Sequence, residues 1–276
     1  MRSCSKSPDY IFLSLVGVLV LFGLIILSSA SSVIAYEKFG SSFYLIKHQI
    51  LYGLLPGLVL FALTLRVPYQ TWRKLALPIL LFTLVLLILV IIPGVGRKLG
   101  GARSWFTIGA LSFQPSEFAK LGLIIYLSAW FEGKQTVLAD FKKGFLPFAG
   151  IVGLVGLLIA LQPDIGTLAI VGVIVLFFAF TTKLRLLHLG VAVSAGIMLI
   201  FLLVQIAPYR VARLTTFVHP EIDPQGIGYH INQALITVGS GGLFGVGFGN
   251  SRQKFRYLPE VTGDSIFPIM AEELGF

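Results

Sequence analysis

The chain has 276 residues, a formal net charge of +9, 56% apolar residues and only 12% charged ones. A soluble domain carries roughly 25% charged residues; this deficit, with a mean hydropathy of +0.91, excludes an ordinary soluble protein and points to an integral membrane protein. The single cysteine, Cys4, and the four scattered histidines exclude a disulfide framework and show no zinc-ligand spacing. The surplus of positive charge reads as loop charge facing lipid head groups or an anionic substrate, not as a nucleic-acid surface.

A helix needs about 20 apolar residues to cross a bilayer. The first run, 11–30, is too long for the apolar part of a signal peptide and no small-residue cleavage site follows, so it reads as the first span. Runs at 46–65, 75–93, 115–131, 145–161, 164–182 and 186–206 follow. An eighth begins near Ser265 and reaches Phe276 in mid-helix, so the sequence is expected to continue into further spans. The whole is expected to be an all-α polytopic bundle, one transmembrane domain over 1–276. Short, basic, acid-free loops mark the cytoplasmic side. These are "RVPYQTWRK" (66–74) and "TTKLR" (181–185), with the mildly basic 132–143 and the N-terminus. The segments 31–45, 94–114 and 162–164, and the long loop 207–264, then fall outside. That leaves Arg97, Lys98, Arg103, Arg210, Arg213, Arg252, Lys254 and Arg256 outside as well. They read either as ordinary loop solvation or as ligands for a substrate's phosphates.

Three stretches carry chemistry. In "FQPSEFAKLGLIIYL" (113–127) Pro115 suits a first helical turn. Glu117 and Lys120 then share a face, and an ion pair is the expected way to keep both in a membrane helix. The pair is either a packing clamp or the polar wall of a substrate cavity. In "QPDIGT" (162–167) Asp164 suits a helix N-terminus, as a cap or with a direct role. After a candidate amphipathic helix at 229–238, Gly239, Gly241, Gly242, Gly245, Gly247 and Gly249 crowd together. No G-K-[ST] follows, so this is not a nucleotide loop; a shaped, partly re-entrant loop lining a cavity fits better. Asp264 then opens the last helix, with Glu272 and Glu273 further in. By spacing alone Asp264 is either a helix cap or a general base beside cations.

The pieces "ILSSASSVIAYEKFGSSFYLIKHQ", "GARSWFTIGALSFQPSEFAKL", "QPDIGT", "NQALITVGSGGLFGVGFGNSRQKFRYLPE" and "GDSIFPIMAEELGF" occur in that order and cover almost the whole chain. Together they resemble the SEDS family of peptidoglycan polymerases (shape, elongation, division and sporulation), and within it the cell-division branch. The resemblance implies about ten membrane-crossing helices of roughly 20 apolar residues each. It implies an inverting peptidoglycan glycosyltransferase, a multi-pass protein of the bacterial cytoplasmic membrane at the division septum. Its substrate would be lipid II, and its partners a class B penicillin-binding protein and other membrane proteins of the division machinery. The family's essential aspartate maps onto Asp264, and its glutamate–lysine pair onto Glu117 and Lys120. Arg103, Arg210, Arg213 and Lys254 are candidates to face the diphosphate or line the cavity. No metal-ligand cluster is evident; a divalent cation is compatible with the chemistry without being demanded. One departure stands out: the family usually reads His-Thr-Asp-Phe where this chain reads Thr262-Gly263-Asp264-Ser265. The aspartate is kept and any support from that histidine is lost. A lipid II flippase and a non-catalytic scaffold of the division machinery are the competing readings.

Overall fold

The structure is a computed structural model that describes residues 9–99, 102–108, 111–133, 140–182, 186–205, 208–219, 226 and 228–276. Its helices are α1 (Tyr10–Phe39), α2 (Tyr44–Arg66), α3 (Tyr69–Ile91), α4 (Pro115–Gly133), α5 (Phe141–Leu161), α6 (Ile165–Thr181), α7 (Leu186–Gln205), α8 (Pro208–Val218), α9 (Tyr229–Gly241) and α10 (Ile266–Leu274). Each expected span falls on a helix. Among the described residues α1, α2, α3 and α5 are long and apolar enough to cross a membrane, and α6 is a shorter apolar helix.

Local chemistry sets the ends. The Asp9 carboxylate accepts from the Phe12 N–H at 3.0 Å and starts α1, while Gly40 ends it in the left-handed region at φ 71°. Asp140 accepts from the N–H groups of Lys142 and Lys143 and starts α5. Asp164 does the same for α6 through the Thr167 N–H.

Three segments expected to be loops are structured. α1 continues to Phe39, past the expected end at residue 30. Its serines return their hydroxyls to the helix, Ser28 to the Ile25 carbonyl and Ser32 to that of Ser29, so polar residues do not break it. The segment 94–114 carries three antiparallel strands in sequential order, β1 (Arg97–Leu99), β2 (Ala102–Ile108) and β3 (Leu111–Phe113). Lys98 pairs with Arg103, and Phe106 with Phe113. Within 207–264, α8 is a helix that the reading as a loop missed, whereas α9 matches the helix expected at 229–238.

The chain forms two compact units, one of residues up to Leu60 with Val211–Phe276, the other Phe61–Arg210. In the second, α3 packs along α4, and β2 rests on both. Leu80 and Leu87 of α3 meet Ala119, Leu123, Leu127 and Phe131 of α4, with Phe148 and Ile159 of α5 and Val171 of α6. Between helices in lipid such contacts act through close packing, since lipid tails are as apolar as leucine. The first unit has a smaller apolar centre, where Ala30 of α1 meets Leu258, Val261 and Ile269.

Candidate active site

α10 carries acids at both ends, and the structure treats them differently. Glu272 and Glu273 lie in its last turn and are buried, at the negative end of the helix dipole, where a carboxylate is least welcome. Each is surrounded by donors from the glycine-rich segment and the residues after it. Ser29 of α1 donates its hydroxyl between the two Glu273 oxygens, at 2.7 and 2.8 Å. The Lys254 Nζ stands 3.2 Å from Glu273 Oε1 and donates to the Gly249 carbonyl at 2.6 Å. Glu272 accepts from the Ser251 hydroxyl and, at 3.1 Å, from the Arg252 N–H.

The glycines explain how the chain comes so close. The N–H groups of Val246 and Gly247 donate to the Glu272 and Glu273 carbonyls at 2.9 and 3.0 Å, closing the C-terminus of α10. Gly245 sits at φ 71°, and a Cβ on it would strike the Glu273 carbonyl; one on Gly241 would strike that of Ala271. Only a residue with no side chain permits either approach.

Asp264 is the contrast. It stands in a turn just before α10 and is exposed. Among the described residues its carboxylate has no hydrogen bond and no ion pair. It is not the helix cap: that position belongs to Ser265, whose hydroxyl makes no cap bond either. The turn itself is firmly held. The N–H groups of Gly263 and Ser265 both donate to the Glu260 carbonyl, at 3.0 and 3.1 Å, while Leu258 and Val261 anchor it in the apolar centre. The site therefore presents, among the described residues, an unengaged carboxylate on a fixed turn, free to accept a hydrogen bond from a bound molecule.

The other candidates fall as follows. Lys254, expected to face a phosphate, points into the protein and is consumed by Glu273 and Gly249; the lone carboxylate of Glu273 in a buried setting required it. Arg256 pairs with Glu37 at the surface, 2.9 Å apart. In the second unit Glu117 and Lys120 form the expected ion pair at 2.7 Å, with Lys120 17% and Glu117 56% exposed. Arg103 on β2 donates from Nη1 to the Ile91 carbonyl at 3.4 Å, and among the described residues its buried Nε has no partner. Asp164 accepts from Gln114 at 2.7 Å and from the Thr167 hydroxyl at 2.8 Å, besides capping α6. Arg210 and Arg213 lie on α8, and their side chains fall outside the described part of the structure. Among the described residues no three His, Cys, Asp or Glu side chains gather as a metal site. The sequence reading named Glu272 and Glu273 but not the Ser29, Ser251 and Lys254 network that holds them, since its parts come from opposite ends of the chain.

Comparison with known proteins follows the same residues. The cell cycle protein family FtsW/RodA/SpoVE matches residues 9–276. The Stage V sporulation protein E of Bacillus subtilis is 41% identical over 276 residues, covering 100% of this chain and 75% of that protein. A probable peptidoglycan glycosyltransferase FtsW of Trichlorobacter lovleyi is 40% identical over 271 residues, covering 97% of this chain and 70% of that one. Among solved structures, the rod shape determining protein RodA of Thermus thermophilus superposes with a TM-score of 0.65 at 28% identity, over 99% of this chain and 69% of that one. A chain from a structure describing the coordination of polymerization and crosslinking by a peptidoglycan synthase complex gives 0.66 at 30% identity, over 92% and 71%.

Proposed function

The chain belongs to the FtsW/RodA/SpoVE family of cell cycle proteins, the SEDS family, as a multi-pass helical membrane protein, and from that premise we propose that it is a peptidoglycan glycosyltransferase polymerising lipid II on the outer face of the cytoplasmic membrane. The names of its relatives support the reaction class. The observation that carries the assignment of the base is the state of Asp264. Of the three acids on and beside α10, two are buried and engaged, and the third is exposed and, among the described residues, without a hydrogen bond or ion pair.

In this mechanism Asp264 accepts the proton from the 4-hydroxyl of the N-acetylglucosamine of lipid II. That oxygen attacks the anomeric carbon of the growing strand. The bond to the diphosphate of the polyprenyl carrier breaks, and the configuration inverts. A diphosphate leaves without being protonated, so one carboxylate suffices where glycoside hydrolysis uses two. Cationic side chains then stabilise the departing charge; Arg103, Arg210 and Arg213 are proposed for that role. Glu117 and Lys120 are proposed to line the substrate's route. Lys254 has no part in it, since its charge is spent on Glu273. The proposed setting is the division septum, with a class B penicillin-binding protein supplying the crosslinking step; the peptidoglycan synthase complex among the structural neighbours supports such a partnership.

The test is glycan synthesis from lipid II by the purified protein, with and without the transpeptidase. General acid–base help is worth about 10²–10⁴-fold, so Asp264→Ala and Asp264→Asn should each abolish measurable polymer. Both should melt close to the parent, because an exposed, unbonded carboxylate holds nothing in place. Glycan strands of ordinary yield from either variant would remove Asp264 from the chemistry.

A further inference from the structure

A histidine reaches the turn that carries Asp264 from elsewhere in the fold. His230, in the first turn of α9, brings its Nε2 to 2.6 Å from the Ser265 hydroxyl. Ser265 follows Asp264 directly, is 1% exposed, and occupies the cap position of α10 without using its hydroxyl as a cap. The preceding residue, Tyr229, donates its hydroxyl to the Tyr257 carbonyl at 2.9 Å. Two consecutive residues of α9 thus hold the two ends of the segment 257–265, and Asp264 stands one residue inside the clamp.

We propose that His230 is a positioning residue for the transfer reaction: through Ser265 it steadies the turn that presents Asp264 to the acceptor hydroxyl. The inference rests on the reading of Asp264 as the base. Three features of the geometry carry it. Ser265 is buried and His230 half-buried, so losing the contact leaves a largely buried hydroxyl without its side-chain partner. The rest of the turn is set by backbone bonds to the Glu260 carbonyl and by the apolar anchors Leu258 and Val261. These hold the backbone at Gly263 and Ser265, and the His230–Ser265 contact adds a side-chain restraint on the residue next to Asp264. Either tautomer of His230 serves, since a hydroxyl both donates and accepts. His230 touches no reacting atom in this scheme. Its effect is on where Asp264 points, so it belongs in the turnover rate and not in substrate affinity.

The experiment is a double-mutant cycle on polymerisation of lipid II by the purified protein, scaled to the folded, monodisperse fraction. His230→Ala and Ser265→Ala are each expected to lower kcat about fivefold, the weight of one buried neutral hydrogen bond, with KM for lipid II unchanged. The double variant is expected to be no slower than either single one. His230→Gln, whose amide nitrogen reaches the position of Nε2, is expected to recover at least half of the lost rate. Asp264→Ala is run beside them. A fully active Asp264→Ala overturns the underlying reading of the base. An inactive Asp264→Ala overturns the clamp if it is accompanied by any of three results: a His230→Ala with parental kcat, a His230→Ala altered in KM alone, or losses from His230 and Ser265 that multiply. If His230→Ala does not fold, Ser265→Ala and His230→Gln decide by the same criteria.

Discussion

Lys254 is the residue whose removal the structure prices most sharply. Its Nζ is buried, 3.2 Å from Glu273 Oε1, 2.6 Å from the Gly249 carbonyl and 3.4 Å from the Ser29 hydroxyl. The side chains of the pair are 5% and 0% exposed. Lys254→Met keeps the length of the side chain and deletes the charge. It leaves the Glu273 carboxylate buried with the Ser29 hydroxyl, a backbone bond from Gly249 and a long contact from the Ser251 N–H at 3.4 Å, and takes away its cation. Removing one member of a buried ion pair costs about 3–5 kcal/mol. At roughly 2–4 °C per kcal/mol for a chain of this order of size, the melting temperature in detergent should fall by about 6–20 °C. The second variant separates charge from shape. Lys254→Met with Glu273→Gln removes both charges, and the amide introduced at 273 can donate to the Gly249 carbonyl that lost its lysine. Neutral replacement of a buried pair is often harmless, so the double variant should melt well above the single one. The readouts are thermal unfolding followed by tryptophan fluorescence, and polymerisation of lipid II as a check that the segment 249–254 is in place. A Lys254→Met that melts within about 1 °C of the parent would show that the charge is not buried as described. A double variant no better than the single one would show that the loss was packing and not an orphaned carboxylate.

Two further outcomes follow from the same geometry. Gly245→Ala should lower stability by more than the ~1–2 kcal/mol of a left-handed non-glycine residue, because its methyl meets the Glu273 carbonyl. Gly249→Ala, at φ 81° with open space around its Cβ position, should show the conformational penalty alone; equal melting temperatures for the two would refute the close approach. Glu117→Gln should melt within about 4 °C of the parent, since a half-exposed pair of this kind contributes ~0–1 kcal/mol, while lowering polymerisation. Unchanged glycan yield would take Glu117 and Lys120 out of the substrate's route.

The spans were legible because each is a run of about the length a bilayer requires, and that signal does not depend on any partner. What hydropathy cannot see is a polar residue that satisfies itself. "SSASS" ended the first apolar run on paper, but Ser28 and Ser32 bond back to their own helix and α1 runs on to Phe39. The strands at 97–113 were missed for a different reason. They are only 3, 7 and 3 residues long, too short for alternation to register. In α8 the pattern of Arg210, Arg213 and the apolar residues between them was read for its charge and not for its helical period. The ion pair of Glu117 with Lys120 was legible because both members lie on one turn of one helix. The pairing of Lys254 with Glu273 was not, although both residues were in view. Whether Lys254 turns outward to a phosphate or inward to an acid is settled by Ser29 and by the glycine-rich approach, neither of which is local.

Three acids around α10 pose one electrostatic problem with two solutions. Near the C-terminus of a helix a carboxylate meets the dipole's negative end and, here, loses its water as well. Glu272 and Glu273 are tolerable only because a lysine, two serine hydroxyls and backbone N–H groups converge on them, and that convergence requires the glycines. The same network ties the segment 249–254 to α1 and to the end of α10. The following segment, 257–265, is then fixed from the other side by Tyr229 and His230. A base that must find one hydroxyl gains from standing on a turn with no freedom of its own. On the proposed reading of Asp264, Glu272 and Glu273 belong to the framework around the turn and not to the transfer step. Glu272 and Glu273 hold the segment before that turn, and the Glu260 carbonyl, Leu258, Val261, Tyr229 and His230 hold the turn itself, so Asp264 is left unengaged on a fixed backbone.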